Sequence, residues 1–186
     1  MEKIDRRIKR TQRLLQEALV ALTLEKGFDE VTIREITERA DVGYTTFFRH
    51  YPDKEALLVD VLDTMRQDFH NLLMPHSIIT EPETMGELLF EYVEQNLDLC
   101  RVLLDSTDTI TLLRPVQEIG QQEIGMMFSA AQEREIPLEV AASHLMTSLV
   151  MLIRWWLEND MPYSPRKMGE IAAKMIIRPV IESFHA

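Results

Sequence analysis

Apolar positions along the chain recur at helical spacing, and no alternating run long enough to predict a strand occurs. Ile8, Leu15, Leu19 and Leu22 fall on one face of a first helix over about 5–26, which Gly27 is placed to stop. Phe28 and Val31 read as core residues of a short turn. Thr32-Ile33-Arg34-Glu35 fits a capping box, in which hydroxyl and carboxylate each satisfy the other's backbone N–H, so a second helix starts there. Its apolar stripe is Ile33, Ile36 and Ala40. Asp41-Val42-Gly43 breaks the pattern, and a third short helix runs from about Tyr44 to His50. Pro52-Asp53 ends that segment, and Asp53 caps a fourth helix to about Met74. Residues 76–82 read as a loop. Helices follow over about 83–99 and 101–113, from Pro115 to about 134, and from Pro137 to about Asn159. Met161-Pro162-Tyr163-Ser164-Pro165 breaks the chain before a last helix over about 165–184, kinked at Pro179. The expected fold class is all-α, with about nine helices.

Residues 32–51 thus give two short helices joined by a three-residue turn, after a longer helix, which is the shape of a helix-turn-helix unit. Two helices crossing steeply need small or apolar residues where they touch, a role open to Ile36, Ala40, Val42 and Phe47. The outer face of the second, with Tyr44, Thr45, Thr46, Phe48 and Arg49, would then be free to enter a major groove about 12 Å wide. Composition bears on this reading through charge. The net charge is −11, which argues against a polyanion as partner, but residues 1–54 carry 11 Lys/Arg against 10 Asp/Glu and residues 55–186 carry 9 against 21. Lys3, Arg6, Arg7, Lys9, Arg10 and Arg13 cluster at the start. Such a cluster suits either a basic arm on phosphates or a solvated helix end.

The stretch VTIREITERADVGYTTFFRHYPDKEALL resembles the DNA-binding domain of the TetR/AcrR family of bacterial transcriptional regulators, over about residues 8–60. TTFFRHYPDKEAL is its most specific part. The resemblance implies a helix-turn-helix DNA-binding domain over 1–54 and a larger helical effector-binding and dimerisation domain over 55–186. It implies phosphate contacts for Thr32, Thr46, His50 and Lys54, and base or backbone contact for Arg34. It places Tyr44 and Thr45 at base-reading positions and Phe47 as a buried aromatic. This chain departs from the family in three places. Asp41 stands in the turn where Gly is common, and Asp tolerates the left-handed conformation. Gly43 replaces a capping Ser. Phe48 replaces a frequent Tyr and loses a hydroxyl for phosphate, with a thymine methyl as the compensating contact. Plainer roles fit several of these residues: a helix cap for Thr32, a surface ring for Tyr44, a packed histidine for His50, a solvent-facing or carboxylate-paired Arg49.

The 137–159 helix is apolar on nearly every face from Leu149 to Leu157, so it needs cover from two sides. With the 165–184 helix, whose Met168, Ile171, Met175 and Ile176 lie beside a stripe of Glu170, Lys174, Arg178 and Glu182, it suits a homodimer built on four helices. The family usually dimerises so. Methionines are concentrated beyond residue 60, and Met side chains fill irregular cavities. Met65, Met85, Phe90, Tyr92, Met126, Met127 and Phe128 are candidates to line an effector pocket, with Asn96, Arg101 and His144 as polar contacts. Cys100 reads as a small buried hydrophobe, and His70 and His76 lack metal-ligand spacing, so no cofactor or metal is expected. The start of the chain has no apolar stretch after its charges, and the longest apolar run, 145–153, is too short to span a bilayer, which predicts a cytoplasmic protein without membrane contact.

The function expected is a DNA-binding regulator, most simply a repressor released from a palindromic operator by a small-molecule effector, and not an enzyme. One alternative is a C-terminal domain that binds a protein partner. A remote one is an all-helical enzyme using Glu91, Glu94 and Asp98.

Overall fold

The computed structural model describes residues 2–73, 75–105 and 136–183. Among them every regular element is helical. α1 (Glu2–Lys26) is followed by α2 (Ile33–Arg39), α3 (Tyr44–Phe47), α4 (Lys54–Leu73), α5 (Pro82–Gln95), α6 (Leu97–Asp105) and α7 (Leu138–Glu158). α8 (Pro165–Ala172) then runs through a π-helical turn (Ala173–Ile177) into α9 (Arg178–Glu182). The expected helices over 101–113 and 115–134 lie, beyond Asp105, outside the described residues, as do Met126, Met127 and Phe128.

The ends of the helices follow from local chemistry. Gly27 takes φ 84 and donates its N–H to the carbonyl of Thr23 at 2.8 Å, which closes α1. The capping box of α2 forms, with Thr32 N to Glu35 Oε2 at 3.0 Å and Glu35 N to Thr32 Oγ1 at 3.3 Å. α2 ends in a Schellman motif: Val42 N–H reaches the Thr37 carbonyl at 3.0 Å and Asp41 N–H the Glu38 carbonyl at 3.3 Å. Asp41 occupies the left-handed position, φ 52. The Asp53 carboxylate caps α4 through Ala56 N at 2.7 Å.

Three expectations about the helices are corrected. α3 stops at Phe47 instead of His50, because the chain tightens into i→i+3 bonds, Arg49 N to Thr46 O and His50 N to Phe47 O, ahead of Pro52. The helix expected over 83–99 breaks at Asn96, whose side-chain amide donates to the Tyr92 carbonyl at 2.9 Å and competes with the helical ladder. The last helix, expected as one element kinked at Pro179, is interrupted by a π turn just ahead of that residue. Pro179 lacks an N–H, and the π turn just before it, closed by Arg178 N–H on the Ala173 carbonyl, carries the backbone past that gap.

Among the described residues the core divides into three clusters. The first holds Leu15, Leu19, Leu22, Val31, Ile36, Phe47, Tyr51 and, from α4, Leu57 and Val61. The expected contact residues Ile36, Ala40 and Phe47 are buried and Val42 is half-buried. Ile8, expected on the core stripe, is 41% exposed because α1 extends beyond the unit it packs on. The second cluster, Leu62, Met65, Tyr92 and Leu103, joins α4 to α5 and α6, and half-buried Leu99 packs against both. The third and largest lies among α5 to α9 around Phe90 and Trp156, whose rings meet edge-on at 5.1 Å. α5 and α8 cross so closely that a Cβ built on Gly86 would stand 2.8 Å from the Gly169 carbonyl oxygen, and one on Gly169 2.9 Å from that of Glu83. Arg178 fixes the far end of this crossing, donating through Nε and Nη2 to Glu83 Oε1 at 3.0 and 2.6 Å.

α7, with 21 residues, extends on both sides of the 145–153 apolar run. By length and composition alone it is long and apolar enough to cross a membrane, with a mean hydropathy of 1.3 over its most apolar 18 residues. In this fold one side of α7 supplies Leu145, Leu149, Ile153 and Trp156 to the core.

Candidate nucleic-acid interface

α2 and α3 are held at a fixed angle by Ile36, Ala40 and Phe47, so the side chains between and beyond them form one surface. An open concavity of about 660 Å³ lies there, lined by Arg34, Thr37, Glu38, Asp41, Val42, Gly43 and Tyr44. The buried Thr37 hydroxyl donates to the Arg34 carbonyl at 2.9 Å. Tyr44, Thr45, Phe48 and Arg49 are exposed, and Thr46 and His50 are half-buried. Arg34 is exposed and donates Nε to Glu38 Oε1 at 3.0 Å. The Thr32 hydroxyl donates to Glu35 Oε2 at 2.6 Å while it accepts from Glu35 N, so its proton serves the cap. Glu35 also takes 2.7 Å contact from Lys26 Nζ; the ammonium and the Thr32 donors lower its carboxyl to about 2.

Lys54 departs most from its expected role. Its ammonium donates to the carbonyls of Phe28, Asp29 and Val31 at 2.9, 3.0 and 3.0 Å and sits 4.6 Å from the centre of the Phe28 ring. An ammonium has three protons, and all three are used here. Lys54 thus ties α4 to the turn before α2 and has none left for phosphate.

Sequence reasoning missed a polar joint behind this surface. The Tyr51 hydroxyl donates to Asp60 Oδ2 at 2.5 Å, and Gln16 Nε2 donates to the same oxygen at 2.9 Å and to Thr64 Oγ1 at 3.1 Å. Burial and the Asp60 carboxylate push the Tyr51 phenol upward, so it stays a donor. α1, the segment leaving α3, and α4 therefore meet at one carboxylate. Arg39 adds a two-bond pairing to Glu25, at 2.9 Å for each nitrogen, between the ends of α2 and α1.

The expected effector contacts do not gather into one site among the described residues. Met65 and Tyr92 share the joint cluster, where Tyr92 packs on Phe69 with ring centres 4.3 Å apart. Met85 lies in the largest core, with Phe90. Asn96 is the helix cap described above, and Arg101 is half-buried. His144 is exposed, at the edge of the buried stripe of α7. Cys100 is buried, and desolvation pushes its thiol up to about 12, far from a reactive thiolate. Among the described residues no group of three or more His, Cys, Asp or Glu is placed to hold a metal. The Asn96 break separates Glu91 and Glu94 from Asp98.

Residues 15–61 match the family described as bacterial regulatory proteins, tetR family, and residues 80–178 match the transcriptional regulator C-terminal region associated with it. The HTH-type transcriptional regulator YxbF of Bacillus subtilis is 40% identical over 58 residues, which is 31% of this chain and 15% of that protein. The chain spans 15%, 47% and 25% of the length of three curated relatives it matches. Among solved structures, a TetR-family transcriptional regulator from Syntrophomonas wolfei superposes with a TM-score of 0.76 at 17% identity, covering 93% of this chain and 96% of that one. The regulator FadR from Bacillus subtilis, solved in complex with stearoyl-CoA, does so with a TM-score of 0.67 at 14% identity, covering 89% and 97%. At these identities the superpositions show a shared fold.

Proposed function

The chain belongs to the TetR family of bacterial transcriptional regulators, a DNA-binding and non-enzymatic family, and from that premise we propose a homodimeric repressor released from a palindromic operator by a small-molecule effector. The observation that carries the reading is the exposed row Tyr44, Thr45, Phe48 and Arg49, on a short helix and the turn that ends it, backed by the fully buried Phe47. A surface of that shape fits a major groove. Tyr44 and Thr45 read bases. Thr46, His50 and Arg49 stand towards the backbone, with Thr32 and Arg34 at the start of α2 able to join once they exchange Glu35 or Glu38 for phosphate. The exposed Arg6, Arg7, Lys9 and Arg10 precede the packed part of α1 and supply a basic arm. The protein acts where the DNA is, in the cytoplasm.

The dimer forms through α7 and α8–α9. Val140, Met151 and Trp155, 55%, 54% and 44% exposed, share one face of α7, and Met175 on the neighbouring π turn is 70% exposed. An apolar stripe of that kind seeks a partner, and a two-fold axis pairs it with itself. Two recognition helices would then sit about 34 Å apart, one turn of DNA. α4 supports the coupling: its first half belongs to the N-terminal core through Leu57 and Val61, and its middle to the joint cluster through Leu62 and Met65. An effector that shifts α4 moves α3 with it and shifts the population away from the DNA-binding spacing. The stearoyl-CoA of the similar Bacillus subtilis regulator makes acyl thioesters the first effector class to test.

Selection of bound duplexes from a random pool, with purified protein at moderate salt, tests the reading. A palindromic motif supports it. A folded dimer that enriches no motif overturns it.

A further inference from the structure

We propose that Tyr44 and Phe48 act as one apolar reader of thymine 5-methyl groups, an inference that rests on the DNA-binding reading above. The two rings are 53% and 46% exposed, unusual for large aromatic side chains one helical turn apart. They meet edge to face, centres 5.2 Å apart and planes at 68°. Phe47, fully buried, backs Phe48 at 5.4 Å and 76°, and itself packs on Tyr51 at 5.8 Å. The pair therefore stands in solvent on a rigid base and cannot fold inward. Every polar hydrogen-bonding atom of Phe48 belongs to its backbone, so its ring has no means of pairing with a base edge. In the major groove one natural base edge carries an apolar group, the C5-methyl of thymine.

The neighbouring side chains narrow the choice further. Tyr44 to Arg49 include no Asn or Gln for a two-bond adenine contact. Arg34, on the wall of the concavity, already engages Glu38, so a guanine contact from Arg34 must displace that carboxylate, and Arg49, at the far end of the exposed row, is set towards the backbone in the reading above. Thr45 and Thr46 add hydroxyls, which accept or donate to any base and discriminate weakly, and methyl groups, which favour thymine again. Burying one methyl in a fitted aromatic contact corresponds to roughly a three- to tenfold change in affinity.

The test uses the duplex selected from the random pool. Each thymine of a half-site is replaced in turn by deoxyuridine, which removes the methyl alone, and by 5-bromodeoxyuridine, which restores its bulk. The expected result is a loss of about three- to tenfold at one or two thymines per half-site, recovered by bromine. In the Phe48→Ala protein the same replacements become neutral; Phe48→Leu, which keeps apolar bulk, checks that a folded variant behaves alike in direction. A selected motif whose uracil replacements are all neutral overturns the methyl reader and leaves the operator reading intact. A folded Phe48→Ala protein that keeps the full uracil penalty also overturns it. A pool that yields no motif overturns both.

Discussion

At the scale of single residues, the surface for DNA depends on polar groups that are already committed. Tyr51 holds Asp60 at 2.5 Å beside Gln16, so Tyr51→Phe keeps the ring and deletes one charge-assisted bond. A loss of about 1–2 kcal/mol in chemical unfolding is expected, with weaker operator binding, since α3 leads directly into that joint. Asp41 sits at φ 52, where a Cβ is strained; Asp41→Gly should raise the melting temperature, worth about 1 kcal/mol, and Asp41→Val should lower it. Glu35 titrates near 2 when folded against an ordinary 4.5. A depressed carboxylate stabilises the fold above the unfolded value and loses that contribution as pH falls from about 4.5 towards 2. Comparing Glu35→Gln with the parent in thermal melts should therefore show a gap at pH 7 that narrows below about pH 4.5 and closes towards pH 2. Tyr44→Ala should weaken operator binding far more than binding to random DNA, as measured by competition titration. Much of this was legible in sequence where the partners are neighbours, as for Thr32 and Glu35 three positions apart. The Tyr51–Asp60–Gln16 joint and the Lys54 clasp were not, because no local spacing marks residues brought together from three elements.

At the scale of elements, caps and breakers were readable and packing was not. Gly27, Thr32 and Asp53 announced their helix ends in the sequence. Asn96 did not announce a break, since an Asn inside an apolar periodicity is as often a solvent-facing residue, and only its bond to Tyr92 O decides. Pro179 announced a disturbance but not its form, the π turn ahead of it. The crossing of α5 and α8 at two glycines was also hidden, because each glycine alone reads as a weak helix position. Gly86→Ala and Gly169→Ala should each destabilise by about 1–3 kcal/mol in denaturant titration, the larger at Gly169, where the added methyl meets the α5 backbone more closely. At the other end of the chain, removing residues 1–10 should leave the melting temperature nearly unchanged, for the packed residues of α1 begin near Leu15. It should weaken binding to all DNA and flatten its salt dependence.

At the scale of the whole molecule, the all-helical two-part plan was carried by periodicity and by the TTFFRHYPDKEAL stretch, while the positions of the effector contacts were not, since apolar periodicity does not say which buried Met faces a ligand. The assembly is open to a direct check. Met151→Asp combined with Trp155→Asp places charge on the exposed stripe of α7 without touching Trp156 or Ile153 behind it. Light scattering should report a folded monomer, and operator affinity should fall by more than tenfold because one half-site is then read alone. The glycine crossing has a further reach at this scale. Any amino acid that replaces glycine brings a Cβ, so no single substitution at Gly86 or Gly169 is silent for the backbone opposite. Descendants of this chain would drift freely around the two positions and hardly at all within them, and a lineage that changed one would be expected to carry a compensating shift of the other helix.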